Sequence, residues 1–339
     1  MSKKNSIVKN LNKQLQENKN FNEAYNSFEK NLKDIKSNKF VVGVSGGPDS
    51  LALSAFVEKF KYENKVKVFY VHINHNIRKK SKLDAFNLKK SLKKFNLNLI
   101  ILTVKKKISK NIQNFARLNR YELFSKFCNL KQVKYILVGH HSDDQVETFL
   151  IRLSRGSGVK GLSSMQPLTK INKDIHILRP LLELRKSTLM NISKKIFKKI
   201  FKDPSNQDDK FLRTKIRRLT KQLEKSGISH SQVIKSIKNL GISSNTLENY
   251  VNSINKKIVN KKKKFTSINF KKLMLYNQEI RLKILSNAIK NVSESYYPPR
   301  SKKVLNLMNR LKLKKVKKHI LAGCDIRVDG ANVLVRKLT

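Results

Sequence analysis

Apolar residues in this chain fall into short unbroken runs separated by stretches of helical periodicity. Phe21, Ala24, Tyr25, Phe28, Leu32 and Ile35 recur at spacings of three and four and predict a first helix over 21–35. Strand-like runs then alternate with helical stretches: 40–44 before 51–60, 66–71 before 83–95, 97–104 before 111–127, and 135–138 before 143–153. Such alternation predicts an α/β fold with a doubly wound, mainly parallel sheet, whose ligands sit at the carboxyl ends of the strands. Another helix is expected at Lys186–Phe197, and Asp203-Pro204-Ser205-Asn206 is strong turn punctuation. Residues 1–20 are polar and rich in Lys and Asn, which predicts a frayed terminus. Residues 155–161 read as a Gly/Ser-rich loop.

From 211 onward the pattern turns helical and basic, with a linker expected at 261–264. Three short strands, at 319–322, 325–328 and 332–336, are expected around Gly323 and the Asp329-Gly330 turn. The expected organisation is a partly helical extension (1–37), an α/β domain (38–220) and a smaller, basic, mostly helical domain ending in strands (221–339).

Composition changes this picture mainly through charge. Among 339 residues, 75 are Lys or Arg and 23 are Asp or Glu, a formal charge of +52. A field of that sign attracts polyanions, and counterion release makes nucleic acid the natural partner; lysine-rich drift of the whole sequence is the bland alternative. Residues 210–339 carry 32 basic and 6 acidic side chains, so the excess is denser there. The division suggests chemistry early and polyanion docking late. Two cysteines, Cys128 and Cys324, make neither a disulfide framework nor a zinc site, which points to a reducing cytoplasm. No apolar run approaches the roughly 20 residues a membrane span needs, and the polar start is not a signal peptide.

The most specific local signal is Ser45-Gly46-Gly47-Pro48-Asp49-Ser50, which follows the apolar run 40–44 and opens a helix. Two glycines let the backbone close on a phosphate, and a helix N-terminus favours negative charge. Ser45 and Ser50 add hydroxyls. Asp49 is costly beside phosphates unless a cation bridges them, which assigns it to Mg²⁺. No Gly-Lys-Ser/Thr follows, so this is not a Walker loop.

Grouped carboxylates stand out in so acid-poor a chain. In His140-His141-Ser142-Asp143-Asp144-Gln145-Val146-Glu147-Thr148, either Ser142 or Asp143 could cap the following helix. Asp144 and Glu147 share one helical face, where a cation, Mg²⁺ or a substrate ammonium, would relieve their repulsion. The imidazoles suit hydrogen bonding to phosphate or ribose better than metal ligation. Arg117 and Arg120 share another face beside Tyr121, suited to phosphate or to simple solvation.

The loop 45–50 resembles the pyrophosphate loop (PP-loop) of the N-type ATP pyrophosphatases, which cleave ATP between the α and β phosphates and adenylate a substrate oxygen. Further blocks narrow the resemblance to one family of that superfamily, the tRNA(Ile)-lysidine synthases. These blocks are His72-Ile73-Asn74-His75-Asn76-Ile77-Arg78 with Ser81 and Asp84-Ala85, then Arg117 with Arg120-Tyr121, then residues 139–148. Arg155-Gly156 through Gly161-Leu162, Arg179-Pro180-Leu181-Leu182 (read as a closing strand), and Asp203-Pro204-Ser205-Asn206 with Arg213 and Arg217 complete the series. The match covers roughly 41–218, and 321–336 is similar to the end of the family's tRNA-recognition domain.

The resemblance implies an adenine-nucleotide α-hydrolase-like fold and ATP-dependent transfer of lysine to C2 of the wobble cytidine in the CAU anticodon of isoleucine tRNA. ATP and Mg²⁺, free lysine and the tRNA would be the partners, and a homodimer a candidate assembly. Ser45, Gly46, Gly47, Pro48, Asp49 and Ser50 would hold ATP, with Asp49 on Mg²⁺. Asp144 and Glu147 would hold lysine and act with Asp49, His140 and Arg120 in catalysis. Arg117, Arg213 and Arg217 would contact the adenylate or tRNA. The further C-terminal domain of longer members is not expected here. The rivals are a tRNA thiolase of the same superfamily, which needs a reactive thiol or a cluster-binding Cys set, and a non-catalytic RNA-binding relative.

Overall fold

The computed structural model describes residues 6–105, 112–172, 174–198, 212–262, 265–295, 298–313 and 318–338. The turn expected at 203–206, and parts of the lysine runs at 261–264 and 312–318, lie outside them. The chain divides into two compact units, 1–241 and 242–339.

The first unit opens with α1 (Ser6–Glu17) and α2 (Lys19–Lys33). It continues with β1 (Lys39–Gly43), α3 (Pro48–Asn64), β2 (Lys67–Asn74), α4 (Ser81–Lys93), β3 (Leu99–Thr103), α5 (Ile112–Lys131), β4 (Tyr135–Leu137) and α6 (Ser142–Leu153). Short α7 (Val159–Leu162), β5 (Leu168–Lys170), β6 (His176–Leu178), α8 (Lys186–Phe197) and α9 (Leu212–Lys225) follow. The 29-residue α10 (His230–Ile258) contains the division.

The sheet order is β3-β2-β1-β4-β6-β5, parallel throughout except for antiparallel β5. The predicted doubly wound, mainly parallel fold is therefore present. Its strands could be read because they are buried on both faces and so form near-continuous apolar runs. Phe40 and Val42 of β1 face a core built with α1, α2, α3 and α8, while Val41 faces a second core built with α5. Chain direction reverses around β1: β2 lies on one side of it and β4, reached only after two further crossovers, on the other. This switch point opens a crevice at the strands' carboxyl ends, where the residues following β1 and β4 meet.

Four local expectations are corrected. Residues 6–17 are not frayed: Ile7, Val8, Leu11 and Leu15 form one buried stripe of α1, and Ile7, Leu11 and Leu15 join the main core. The strand expected at 179–182 is β6, three residues earlier, and 180–183 is a turn. The loop 155–161 runs into α7 at Val159. Val259–Lys261 is a strand (β7) antiparallel to β8 (Phe265–Asn269), so Lys261 belongs to a sheet rather than to the expected linker, and 263–264 lie outside the described residues.

The second unit is a five-stranded antiparallel sheet in the order β7-β8-β11-β10-β9, with β9 (His319–Leu321), β10 (Cys324–Asp329) and β11 (Asn332–Lys337) close to the expected ranges. Short α11 (Phe270–Leu273) leads to α12 (Gln278–Ser293) and α13 (Ser301–Lys312). The latter two bury Ile284, Leu285, Leu307 and Met308 against Ile326, Val333 and Val335 of the sheet.

Leu11 is fully buried. Leu11→Ala is expected to cost about 2–5 kcal/mol, as cavity-forming substitutions in a packed core do. Denaturant unfolding checks this, and a loss within a few tenths of a kcal/mol would return 6–17 to the status of a loose extension.

Candidate active site

The loop after β1 is held in shape by its own last residue. Ser45 N–H and Gly46 N–H both donate to Ser50 Oγ (3.2 and 3.1 Å), which lies 3.0 Å from Gly47 O and donates to it. Ser50 is thereby turned inward, while Ser45 stays exposed at the loop's mouth. Gly46 has φ +89°, a left-handed conformation that a side chain would strain. Pro48 is the first residue of α3, where its missing N–H costs nothing. Asp49 follows in the first turn, and its Oδ1 is buried with no hydrogen-bond partner.

The other side of the crevice comes from the segment after β4. Gly139 makes the junction possible: a Cβ there would lie 2.8 Å from Asp49 O and 3.1 Å from Ser50 N. His141, not Ser142 or Asp143, is the N-cap of α6. Its Nδ1 accepts from Asp144 N–H (3.3 Å), and Asp144 Oδ2 accepts from His141 N–H (3.2 Å), closing a capping box. His141 Nε2 then lies 3.6 Å from Asp49 Oδ2 and 3.5 Å from Asp144 Oδ2. Burial alone would lower this imidazole's pKa, but the Asp49 hydrogen bond and the charges of Asp144, Asp49 and Asp143 outweigh it and raise it. Sequence reasoning assigns the cap to Ser142 or Asp143, the residue types that N-caps favour, and offers His141 only as a hydrogen-bonding group for phosphate or ribose; its place between the carboxylates is visible only in the structure.

The three acids of this segment do different things. Asp143 lies 3.7 Å from His141 Nδ1 but accepts from Lys186 N–H (2.8 Å) and so caps α8, with Arg185 3.6 Å distant. Burial would raise its pKa, yet these contacts hold it below the usual carboxylate value. Asp144 faces His141. Glu147, 4% exposed, receives Arg217 Nε at 2.6 Å and Nη2 at 3.5 Å, with Arg213 at 3.8 Å. The cation that the Asp144/Glu147 face required is, within the protein, an arginine of α9.

A cationic group adjoins this acidic pole, with Arg213 acting on both. Arg117 lies over the Tyr121 ring (5.5 Å), and Arg120 Nη2 is 3.4 Å from His75 Nε2. His140 is pushed well below the usual imidazole pKa, first by burial and then by Arg179, Arg213, Arg120 and Arg117. The charges of the predicted Arg117, Arg120 and Arg213 thus all bear on the predicted His140. Arg179, which sequence reasoning placed only in a strand, is 3% exposed; it donates from Nε to His140 Nδ1 (3.2 Å) and from Nη1 to Gln166 O and Thr169 Oγ1 (2.8 Å each). With Nδ1 accepting, the His140 proton sits on Nε2.

Among the described residues no group of three or more His, Cys, Asp or Glu could hold a metal by itself. The orphaned Asp49 Oδ1 nevertheless suits a hard cation of the Mg²⁺ kind, which takes one or two carboxylates and completes its shell with phosphate oxygens and water. Cys128 is fully buried and burial pushes its thiol up to about 12; Cys324 is buried in the second unit.

Two outcomes follow from this geometry. Gly139→Ala should force the start of α3 away from β4 and reduce turnover at least about 10²-fold, the scale of a one-ångström misplacement, while leaving far-UV circular dichroism intact. His75 is pushed down to about 4 by burial, then by Arg120 and His72, against 6.5 when unfolded. The unfolded chain therefore binds that proton first, so this contribution is complete above pH 6.5 and is lost as pH falls toward 4. Thermal melts across that window should show a shallower pH slope for His75→Asn than for wild type.

A family model described as the PP-loop domain matches residues 16–223. The tRNA(Ile)-lysidine synthase of Wolbachia pipientis wMel is 33% identical over 304 residues, 88% of this chain and 70% of that protein. That of Wolbachia sp. subsp. Brugia malayi (strain TRS) is 30% identical over 306 residues, 89% and 71% respectively. The synthase of Orientia tsutsugamushi (strain Boryong) is 33% identical over 238 residues, 70% of this chain and 52% of its own length. Among solved structures, the U34-tRNA thiolase NcsA from Methanococcus maripaludis, with its 4Fe-4S cluster, superposes with a TM-score of 0.56 at 19% identity, over 65% of this chain and 79% of that one. At that identity the likeness is one of fold. With a PP-loop model over more than half its length, and relatives at this identity across most of it, the chain belongs to the tRNA(Ile)-lysidine synthase family.

Proposed function

We propose that this protein joins lysine to C2 of the wobble cytidine in an isoleucine tRNA with a CAU anticodon, in two steps at one site. In the first, the cytidine C2 oxygen attacks the α phosphorus of ATP, the bond from that phosphorus to the α–β bridging oxygen breaks, and pyrophosphate leaves. In the second, the ε-amine of lysine, having lost a proton, attacks C2; the C2–O bond breaks and AMP leaves. The observation that carries this reading is the meeting of an acidic pole (Asp49, Asp144, Glu147) and a cationic pole (Arg117, Arg120 and Arg213, around a neutral His140) at a PP-loop.

Each pole has a task. Ser45 and the N–H groups at the start of α3 hold pyrophosphate, favoured by the helix dipole. Asp49 would hold Mg²⁺ through its unpartnered oxygen, and a bound Mg²⁺ offsets charge on the departing pyrophosphate. Arg117, Arg120 and Arg213 face the α phosphate and the adenylate. Neutral His140, its Nδ1 occupied by Arg179, presents Nε2–H as a donor to that group. Asp144 and Glu147 hold the lysine ammonium and help remove its proton. Because Glu147 already carries Arg217, the ammonium enters a shared carboxylate.

The thiolase alternative fails on chemistry: a buried thiol held near 12 is a poor nucleophile, and the two cysteines lie in separate units. A non-catalytic relative would lack selection for the Ser50 staple and the Asp49–His141–Asp144 cluster, and both are complete here. No described helix is long and apolar enough to cross a membrane; ATP, lysine and tRNA share the cytoplasm, the compartment we assign.

Incubation with labelled lysine, ATP and isoleucine tRNA should place label in the tRNA. No label, or label without ATP, would end this reading. Asp49→Asn should slow adenylation at least about 10²-fold, the scale of several kcal/mol of lost charge stabilisation. Glu147→Gln should instead raise KM for lysine while tRNA adenylation, read by pyrophosphate release, persists. Cys128 should resist alkylation at pH 8 in the folded protein and react once unfolded.

A further inference from the structure

Between β2 and the middle of α4 the chain exposes three large apolar side chains within ten residues: Ile77 (42% exposed), Leu83 (56%) and Phe86 (60%). They are interleaved with cations, Arg78, Lys79, Lys80 and Lys82, all exposed, against the single acid Asp84, which Arg78 approaches at 3.6 Å. Solvation explains the lysines but not the apolar residues. On α4 the core-facing positions are Ala85, Leu88 and Leu92, so Leu83, Phe86 and Lys90 form the opposite, outward stripe.

The place of this patch matters as much as its composition. β2 ends at Asn74 on the sheet's carboxyl edge, beside β1 and its PP-loop. Asn76, at φ +53°, donates its N–H to Asn74 Oδ1 and turns the chain outward, just after His75 has met Arg120. Ser81 Oγ then accepts from Arg78 N–H (3.0 Å), and Asp84 N–H donates to Lys80 O (2.9 Å), so the segment is a built turn into a helix. The patch is therefore continuous with the rim of the catalytic crevice.

We propose that 77–86 is the docking platform for the single-stranded loop nucleotides that flank the reacting cytidine; this rests on the tRNA reading above. A nucleotide whose base enters the crevice leaves its neighbours unstacked at the rim. Unstacked bases seek aromatic and apolar faces, which Phe86, Leu83 and Ile77 supply, and their phosphates seek cations, which Lys79, Lys80 and Lys82 supply. A second copy of the chain is the weaker occupant, because a two-fold interface would set this cationic segment against itself.

The test uses the full chain. Leu83→Ala/Phe86→Ala should raise KM for an anticodon stem-loop substrate about ten-fold, the scale of one lost stacking contact, with kcat and KM for ATP within two-fold of wild type. Both side chains are exposed, so the melting temperature should not move. Lys79, Lys80 and Lys82 changed together to Gln should lower the slope of log K against log salt by about 2, as loss of three phosphate contacts to a single strand predicts. Leu130→Ala, on an exposed residue of α5, is the control and should change nothing. An unchanged stem-loop KM in the double variant, with wild type active, overturns the proposal. So does a wild-type dimer that the double variant converts to monomer at unchanged KM. If wild type made no lysidine, the functional reading would fall, while weakened direct binding of the stem-loop by the same variants would still support the platform.

Discussion

A histidine buried among carboxylates from both sides of the switch point is the constraint around which this site is arranged. His141 reaches Asp49 of the loop after β1 and Asp144 of the helix after β4, and it caps that helix at the same time. Two carboxylates drawn together in a crevice repel, and an imidazole between them turns the repulsion into attachment. The arrangement tolerates little slack, because Gly139 has already let the two backbones approach to the limit of contact. Loop position, helix start and acid orientation are thus one coupled variable rather than three.

Around that junction the site separates its charges. Carboxylates gather where a metal and an ammonium would sit, and guanidinium groups gather where a phosphate would pass. His140 marks the boundary: near enough to four arginines to stay neutral, and fixed by Arg179 so that its remaining proton faces one way. The formal charge of +52 contributes to none of this directly. A diffuse cationic surface raises encounter rates with RNA, whereas the placement of a few arginines against buried acids decides what happens afterwards.

Much of the fold was legible because β1 to β4 are apolar on both faces and the intervening helices keep their period. α1 escaped notice because Ile7, Val8, Leu11 and Leu15 are diluted by Lys and Asn, and only packing reveals the stripe. The basic run beginning at Lys261 looked like a linker because charge hides a pair of strands whose pairing partners, in β11, lie some seventy residues on. The site divides the same way. Local motifs brought forward Ser45 to Ser50, Asp144, Glu147 and His140 as candidates, since their spacing is intelligible within one loop or one helix. Contacts such as Arg217 with Glu147, or Arg179 with His140, join distant segments and leave no trace in local spacing.

Ser50 has a thermodynamic consequence of its own. The backbone donors of Ser45 and Gly46 are already satisfied by its hydroxyl, so the loop is folded before any nucleotide arrives. An entering phosphate must share or take over those donors instead of gaining them from water. The enthalpy from this part of the loop is then an exchange, close to balanced, while the entropy of ordering the loop has been spent during folding. Affinity for the nucleotide must accordingly arise from the Ser45 hydroxyl, the helix start and the charges around them, and these two backbone donors hinder the release of pyrophosphate no more than they favour the entry of ATP.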